Sequence, residues 1–99
     1  MTELTSRQRA HLRKLAHGLK PVVHVGAGGL TPALLESIGE AFNTRELIKV
    51  KALESAPEPI RVLADDVVGR LEDVHPVQTI GRTAVLYRAF REKPEIRLP

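Results

Sequence analysis

The hydrophobic pattern of this 99-residue chain switches repeatedly between helical and strand spacing. Leu12, Leu15 and Leu19, with Gln8 one turn earlier, recur at helical intervals, and Thr5 or Ser6 stands where an N-cap is wanted, which predicts a helix to about Ala16. Arg7, Arg9, His11, Arg13 and Lys14 fill its other positions and make it a basic amphipathic helix. Gly18 suits its terminus, and Lys20-Pro21 forces extended backbone into a short strand, Val22 to Val25. Gly26-Ala27-Gly28-Gly29 then reads as a tight loop. Thr31 as N-cap, Pro32 at the first helical position and the Leu30/Leu35 staple open a second helix, with Leu34, Leu35, Ile38, Ala41 and Phe42 as its apolar stripe and a stop at Asn43-Thr44. Glu36 and Glu40 lie off that stripe, towards solvent.

From Leu47 to Leu53 the period falls to two: Ile48, Val50 and Ala52 share one side of a strand, Lys49 and Lys51 the other. The Ala56-Pro57-Glu58-Pro59 turn precedes a third helix, from about Ile60 to Glu72, whose apolar positions are Ile60, Leu63, Ala64, Val67, Val68 and Leu71. After Pro76, Val77 to Ile80 and Thr83 to Arg88 read as two strands of a hairpin. Its two-residue loop, Gly81-Arg82, has glycine first, as a type II′ turn requires. The polar, Pro-punctuated tail from Arg91 to Pro99 is expected to be only partly ordered. The order α-β-α-β-α-β-β predicts an α/β fold, a four-stranded mixed sheet with three helices, in which helix-separated strands run parallel and the last strand antiparallel. Ligands in such sheets gather beyond the carboxyl ends of the parallel strands, where the glycine loop sits.

Composition narrows the class. A chain of 99 residues with 42% hydrophobic content suits a single domain. The absence of cysteine removes disulfides and thiolate metal sites, and no apolar signal core or membrane-spanning run is present. A cytoplasmic protein, without a membrane partner, is expected. The net charge of +3 is unevenly spread: residues 1–30 carry five Lys/Arg against one acid, residues 31–75 five against nine, and residues 76–99 five against two. If the two ends of the chain meet, one cationic surface backs onto an anionic one.

Candidate chemistry is sparse. His11, His17, His24 and His75 have no ligand spacing, and the adjacent Asp65 and Asp66 diverge on a helix, so neither a metal site nor a carboxylate dyad is supported. The glycine loop continues as Leu30-Thr31, unlike a Walker loop, and lacks glycine at position 31, unlike a dinucleotide fingerprint; no cofactor is expected. Its main-chain N–H groups, feeding a helix N-terminus, nonetheless suit a phosphate or another anion. Aromatic residues are limited to Phe42, Tyr87 and Phe90, few for base stacking, so contact with a nucleic acid is expected to be mainly with backbone phosphates.

Four separated blocks carry a resemblance: Leu-Thr-Ser-Arg-Gln-Arg at 4–9, Leu-Lys-Pro-Val-Val-His-Val-Gly-Ala-Gly-Gly-Leu-Thr at 19–31, Glu-Leu-Ile-Lys-Val-Lys at 46–51 and Ile-Gly-Arg-Thr-Ala-Val-Leu-Tyr-Arg at 80–88. In this order they resemble the CRM domain, and within that family the stand-alone, YhbY-type bacterial proteins, over about residues 4–90. The resemblance implies a fold similar to the C-terminal domain of translation initiation factor three and RNA binding during assembly of the large ribosomal subunit. It places the family's Gly-x-x-Gly loop on Gly26, Ala27, Gly28 and Gly29, its Lys-Val-Lys strand on Lys49 to Lys51, and its hairpin glycine on Gly81 with Arg82. Three positions depart from the family pattern. Ala27 and Gly28 stand where many relatives carry a polar or basic residue, and His24 where an aliphatic residue is commoner.

The reading from sequence is therefore a monomeric, non-enzymatic, single-domain RNA-binding protein, with residues 4–90 as its core, acting on ribosomal RNA of a large-subunit precursor. Gly26, Ala27, Gly28 and Gly29 would place amides on phosphate, and Arg9, Arg13, Lys14, Lys20, Lys49, Lys51 and Arg82 would supply positive charge. The alternatives are a protein or enzyme holding a small phosphorylated ligand at the same loop, and an adaptor whose acidic middle docks a basic protein. Replacing Gly28 and Gly29 together by Asp is expected to abolish RNA binding and spare the fold.

Overall fold

Three short helices and four short strands follow one another as the hydrophobic spacing requires. A computed structural model describes residues 3–99; Met1 and Thr2 lie outside the described residues. Its elements are α1 (Ser6–Ala16), β1 (Pro21–Val25), α2 (Pro32–Ala41), β2 (Leu47–Ala52), α3 (Ile60–Arg70), β3 (His75–Ile80) and β4 (Thr83–Tyr87). The mixed sheet has the order β1-β2-β4-β3, with β1 parallel to β2 and β4 antiparallel to both its neighbours. The three helix-separated strands thus share one direction, and β4 lies between β2 and β3.

Caps fix the helix starts. Thr5 closes a capping box with Gln8: its Oγ1 accepts from the Gln8 N–H at 3.1 Å, and its own N–H donates to Gln8 Oε1 at 3.0 Å. Thr31 Oγ1 accepts from the Leu34 N–H at 3.1 Å, with Pro32 in the first helical position. α3 has no side-chain cap and begins after Pro59. In the β3–β4 hairpin Gly81 has φ +58°, while Arg82 keeps negative φ, the signs of a type II′ turn.

The sheet separates two apolar clusters. Val23, Val25, Ile48, Val50, Ala84 and Leu86 face α2 and α3, which contribute Ile38, Phe42, Ile60, Leu63, Ala64 and Val67. On the opposite face α1 lays Leu12 and Ala16 over Leu47, Val77, Val85 and Tyr87. The face of α1 that meets the sheet differs from the predicted stripe. Leu15 is 45% exposed, and Ala16 is buried in its place, because a small side chain lets the helix approach the strands closely.

The tail is not loosely held as expected. Buried Glu46 accepts hydrogen bonds from the N–H groups of Phe90, Glu95 and Ile96 at 2.8, 2.9 and 2.7 Å, while Ile96 and Leu98 pack beside α1. Gln8 Nε2 donates to the Pro99 carbonyl at 3.4 Å, so the tail meets the first turn of α1. The exposed acids Glu36, Glu40 and Asp65 belong to the helices of the other face. Burial, and secondarily the Glu46 carboxylate, raises the Tyr87 hydroxyl above its ordinary pKa of 10.0.

Candidate nucleic-acid interface

The carboxyl ends of β1 and β2 bring three loops to one edge of the sheet. The Leu53 N–H donates to the Val25 carbonyl and the Ala52 N–H to the Arg82 carbonyl, each at 2.8 Å, which ties the start of the glycine loop and the hairpin to the β2–α3 connection. Ser55 Oγ lies 3.8 Å from where a Cβ on Gly26 would stand.

The loop is a built turn. The Gly29 N–H donates to the Gly26 carbonyl at 3.0 Å and the Thr31 N–H to the Gly29 carbonyl at 3.1 Å. These two amides are therefore already used. Among the described residues, those of Ala27, Gly28 and Leu30 have no hydrogen-bond partner within the chain and remain available to an anion. Ala27 and Gly28 are exposed at the tip. Gly29 is buried at φ +67°, and a Cβ there would lie 3.1 Å from Pro57 Cγ. Both conformation and space demand glycine at that position. The Gly28/Gly29 double replacement accordingly strains the fold, contrary to the expectation from sequence. A side chain at Gly28 meets only Thr31 Cγ2, at an ordinary 3.5 Å, so Ala27→Asp with Gly28→Asp is the sound version of that test.

The seven predicted cations fall into three groups. Arg82 stands at the loop edge and pairs with Glu54 at 3.5 Å; both side chains are more than half exposed, so the pair is weak and open to exchange. Arg13, Lys49 and Lys51 line a cleft of about 420 Å³ between α1 and the sheet, together with His17 and no acidic residue. Arg9 lies one turn before Arg13 on the same flank of α1. Lys20 precedes Pro21, a lining residue at the amino end of β1, and so stands at the far end of the cleft from the loop. Lys14 is exposed and lies about 100° around α1 from Arg13, so it points away from the cleft. Among the described residues, none of the six outside the hairpin makes an ion pair. Lys49 and Lys51, about 7 Å apart along the strand, repel one another by roughly 0.6 kcal/mol in water. A bound anion would turn that small penalty into attraction.

Of the three aromatic residues, Phe42 and Tyr87 are buried, and the Arg88 guanidinium lies 5.1 Å over the Phe42 ring. They offer no stacking platform. Of the other cleft residues, His17 stands out in the sequence only as a metal-ligand candidate, and Gln78 and Thr83 do not stand out at all. Only irregular strand pairing brings Gln78 to this face, and single-sequence periodicity does not reveal such pairing. His24 is exposed on β1 beside Lys51, its register partner, and adds a titratable group near the cleft. Among the described residues no group of acids and histidines could hold a metal, and no helix is long and apolar enough to cross a membrane.

Fold and site together define a small α/β protein that presents a glycine loop and a cationic cleft around one end of a mixed sheet. Residues 4–88 match the family model of the CRS1 / YhbY (CRM) domain. The chain belongs to that family. The Bacillus subtilis protein named "Probable RNA-binding protein YqeI" is 41% identical over 97 residues, covering 97% of this chain and 99% of its own length. A Haemophilus influenzae protein named "RNA-binding protein" is 42% identical over 99 residues, with 100% and 98% coverage. A solution structure from Staphylococcus aureus, described as that of a "putative RNA binding protein", superposes with TM-score 0.80 at 35% identity, covering 97% of this chain and 99% of that one.

Proposed function

We propose that this protein is a non-enzymatic RNA-binding protein that acts as a cytoplasmic monomer on ribosomal RNA in precursors of the large subunit. The observation that carries the reading is that the free Ala27, Gly28 and Leu30 amides follow the carboxyl end of β1, while the unpaired Lys49 and Lys51 of the α1 cleft lie on the adjacent β2, Lys51 in register with His24. Full-length similarity to proteins named as RNA-binding supports it, and the likeness to stand-alone YhbY-type proteins supports the ribosomal target. Gly26 to Gly29 form the phosphate cradle, with Gly29 holding the turn and Ala27 and Gly28 at the contact. Arg13, Lys49 and Lys51, flanked by Arg9 and Lys20, neutralise the backbone on one side of the loop, and Arg82 exchanges Glu54 for phosphate on the other. Lys14 adds only long-range attraction.

The test is titration of a ribosomal RNA fragment at several salt concentrations. Lys49→Ala with Lys51→Ala should weaken binding about tenfold or more and reduce the slope of log affinity against log salt by about 1.4–1.8, two counterions' worth. Ala27→Asp with Gly28→Asp should abolish binding with the fold retained. Tight binding insensitive to both salt and these substitutions defeats the proposal. Crosslinking in cells, followed by sequencing of the bound RNA, tests the ribosomal target: enrichment of large-subunit precursor sequence is expected, and its absence removes that assignment.

A further inference from the structure

The loop and the cations recognise a backbone, which every RNA shares, but the cleft holds polar groups that a phosphate alone would not need. β3 pairs His75 with Tyr87 and Pro76 with Leu86, then Gln78 with Val85, so Val77 is an extra residue in the strand. This bulge changes which side chains face α1. Val77 and Gln78 both stand opposite Val85, Val77 in the buried cluster and Gln78 in the cleft wall, and Ile80 follows on the same face. In an unbroken strand Gln78 and Ile80 would point to the opposite side of the sheet. The Gln78 amide and the nearby Thr83 hydroxyl form no hydrogen bond among the described residues. Each therefore has unused donor and acceptor capacity beside the cations.

We infer that the α1–sheet cleft is a pocket for one unpaired nucleotide of the bound RNA; the inference rests on the RNA-binding reading and adds base recognition to it. Size favours a nucleotide over a bare phosphate. The cleft of about 420 Å³ falls in the range of small-molecule sites, whereas a phosphate fills only on the order of two or three water volumes of about 30 Å³ each. The walls divide as such a ligand divides. Arg13, Lys49 and Lys51 face the phosphate; Ala16, Val85 and Ile80, the last 63% exposed, offer an apolar surface to the base. Gln78, donor and acceptor in one side chain, meets the base edge, with Thr83 beside it. The C-terminus of α1 adds about half a negative charge nearby, which the three full cations outweigh.

The test uses the isotope-labelled full chain, titrated with single-stranded oligomers of A, C, G and U of equal length and with an RNA duplex. Single strands should shift the amide signals of Gln78, Thr83 and Val85 as well as those of Ala27, Gly28, Lys49 and Lys51, whereas the duplex should shift the loop and the two lysines and leave Gln78 unmoved. The four oligomers should differ in affinity by about tenfold, as one or two base-edge hydrogen bonds allow. Gln78→Leu should collapse that spread, and Thr83→Val, a second and milder lesion, should narrow it. Loop and lysine shifts without a Gln78 shift, or a spread unchanged in Gln78→Leu, overturn the pocket and leave RNA binding standing. Failure of every RNA to move either region overturns both.

Discussion

The two faces of the sheet are built from the same four strands and covered to different extents. Towards α2 and α3 the strands present Ile48, Val50, Ala84 and Leu86 to an apolar layer of Ile38, Phe42, Leu63 and Val67. Towards α1 the apolar cluster is half the size, and beyond its rim lie Lys49, Lys51, Gln78 and Thr83. The difference follows from dimensions. Four strands about 4.8 Å apart make a surface some 15–19 Å wide, and a helix with its side chains is 10–12 Å across. Two helices cover one face, whereas one helix leaves a corner of the other open. The open corner coincides with the carboxyl ends of the parallel strands, beside the glycine loop. The proposed site thus lies on the side that packing leaves incomplete.

The sharpest way to break this division is to damage the covered face. Phe42→Ala removes the largest fully buried side chain there and should cost about 3–5 kcal/mol, a large share of the roughly 5–15 kcal/mol expected for a small domain. Urea unfolding measures this loss. At temperatures where the variant remains folded, its RNA affinity should match the parent's; a selective loss of binding would show that the two faces are coupled.

A smaller effect is expected at the seam where the tail closes the α1 face. Glu46→Ala removes one carboxylate that satisfies three main-chain N–H groups, and should destabilise the chain by about 2–3 kcal/mol while loosening the tail. Amide exchange should show it: protection at Phe90, Glu95 and Ile96 should fall first, with β2 and β4 still protected. Simultaneous loss everywhere would mean that the tail is part of the global folding unit.

The contrast between faces also explains what was legible in the sequence. Helices, strands and the hairpin were legible because each rests on local chemistry: Thr31 before Pro32, alternation from Leu47 to Ala52, and glycine at position 81. The Gly-x-x-Gly loop was legible for the same reason. The face of α1 was not, since Leu15 and Ala16 differ in hydrophobicity in the opposite sense to their burial, and closeness of approach decided the matter. Nor was Glu46, a lone acid before a strand whose three partners are main-chain groups 44 to 50 residues away. Gln78 was hidden by a bulge. Cleft residues from α1, β2, β3 and β4 become neighbours only through the strand order, which periodicity along the chain does not encode.

The smallest effect sharpens the comparison by reading the buried part of the α1 face from within. Tyr87 packs there against the His75 ring, with centroids 6.4 Å apart, and its hydroxyl ionises above 10.0 in the folded chain, first because burial disfavours the phenolate and second because the Glu46 carboxylate repels it. Above pH 10 the unfolded chain therefore loses this proton before the folded one does. The folded state then binds more protons, and stability must fall as pH rises. The contribution is fully present below the unfolded pKa and is lost progressively above it. Tyr87→Phe cannot ionise, so its stability should fall less steeply than the parent's between neutral pH and pH 11, when both are followed by urea unfolding. Glu46→Gln, which removes the second cause and keeps the first, should lie between them. Parallel curves for parent and Tyr87→Phe would mean that the hydroxyl reaches solvent, and that the α1 face is open beneath the helix as well as at its corner.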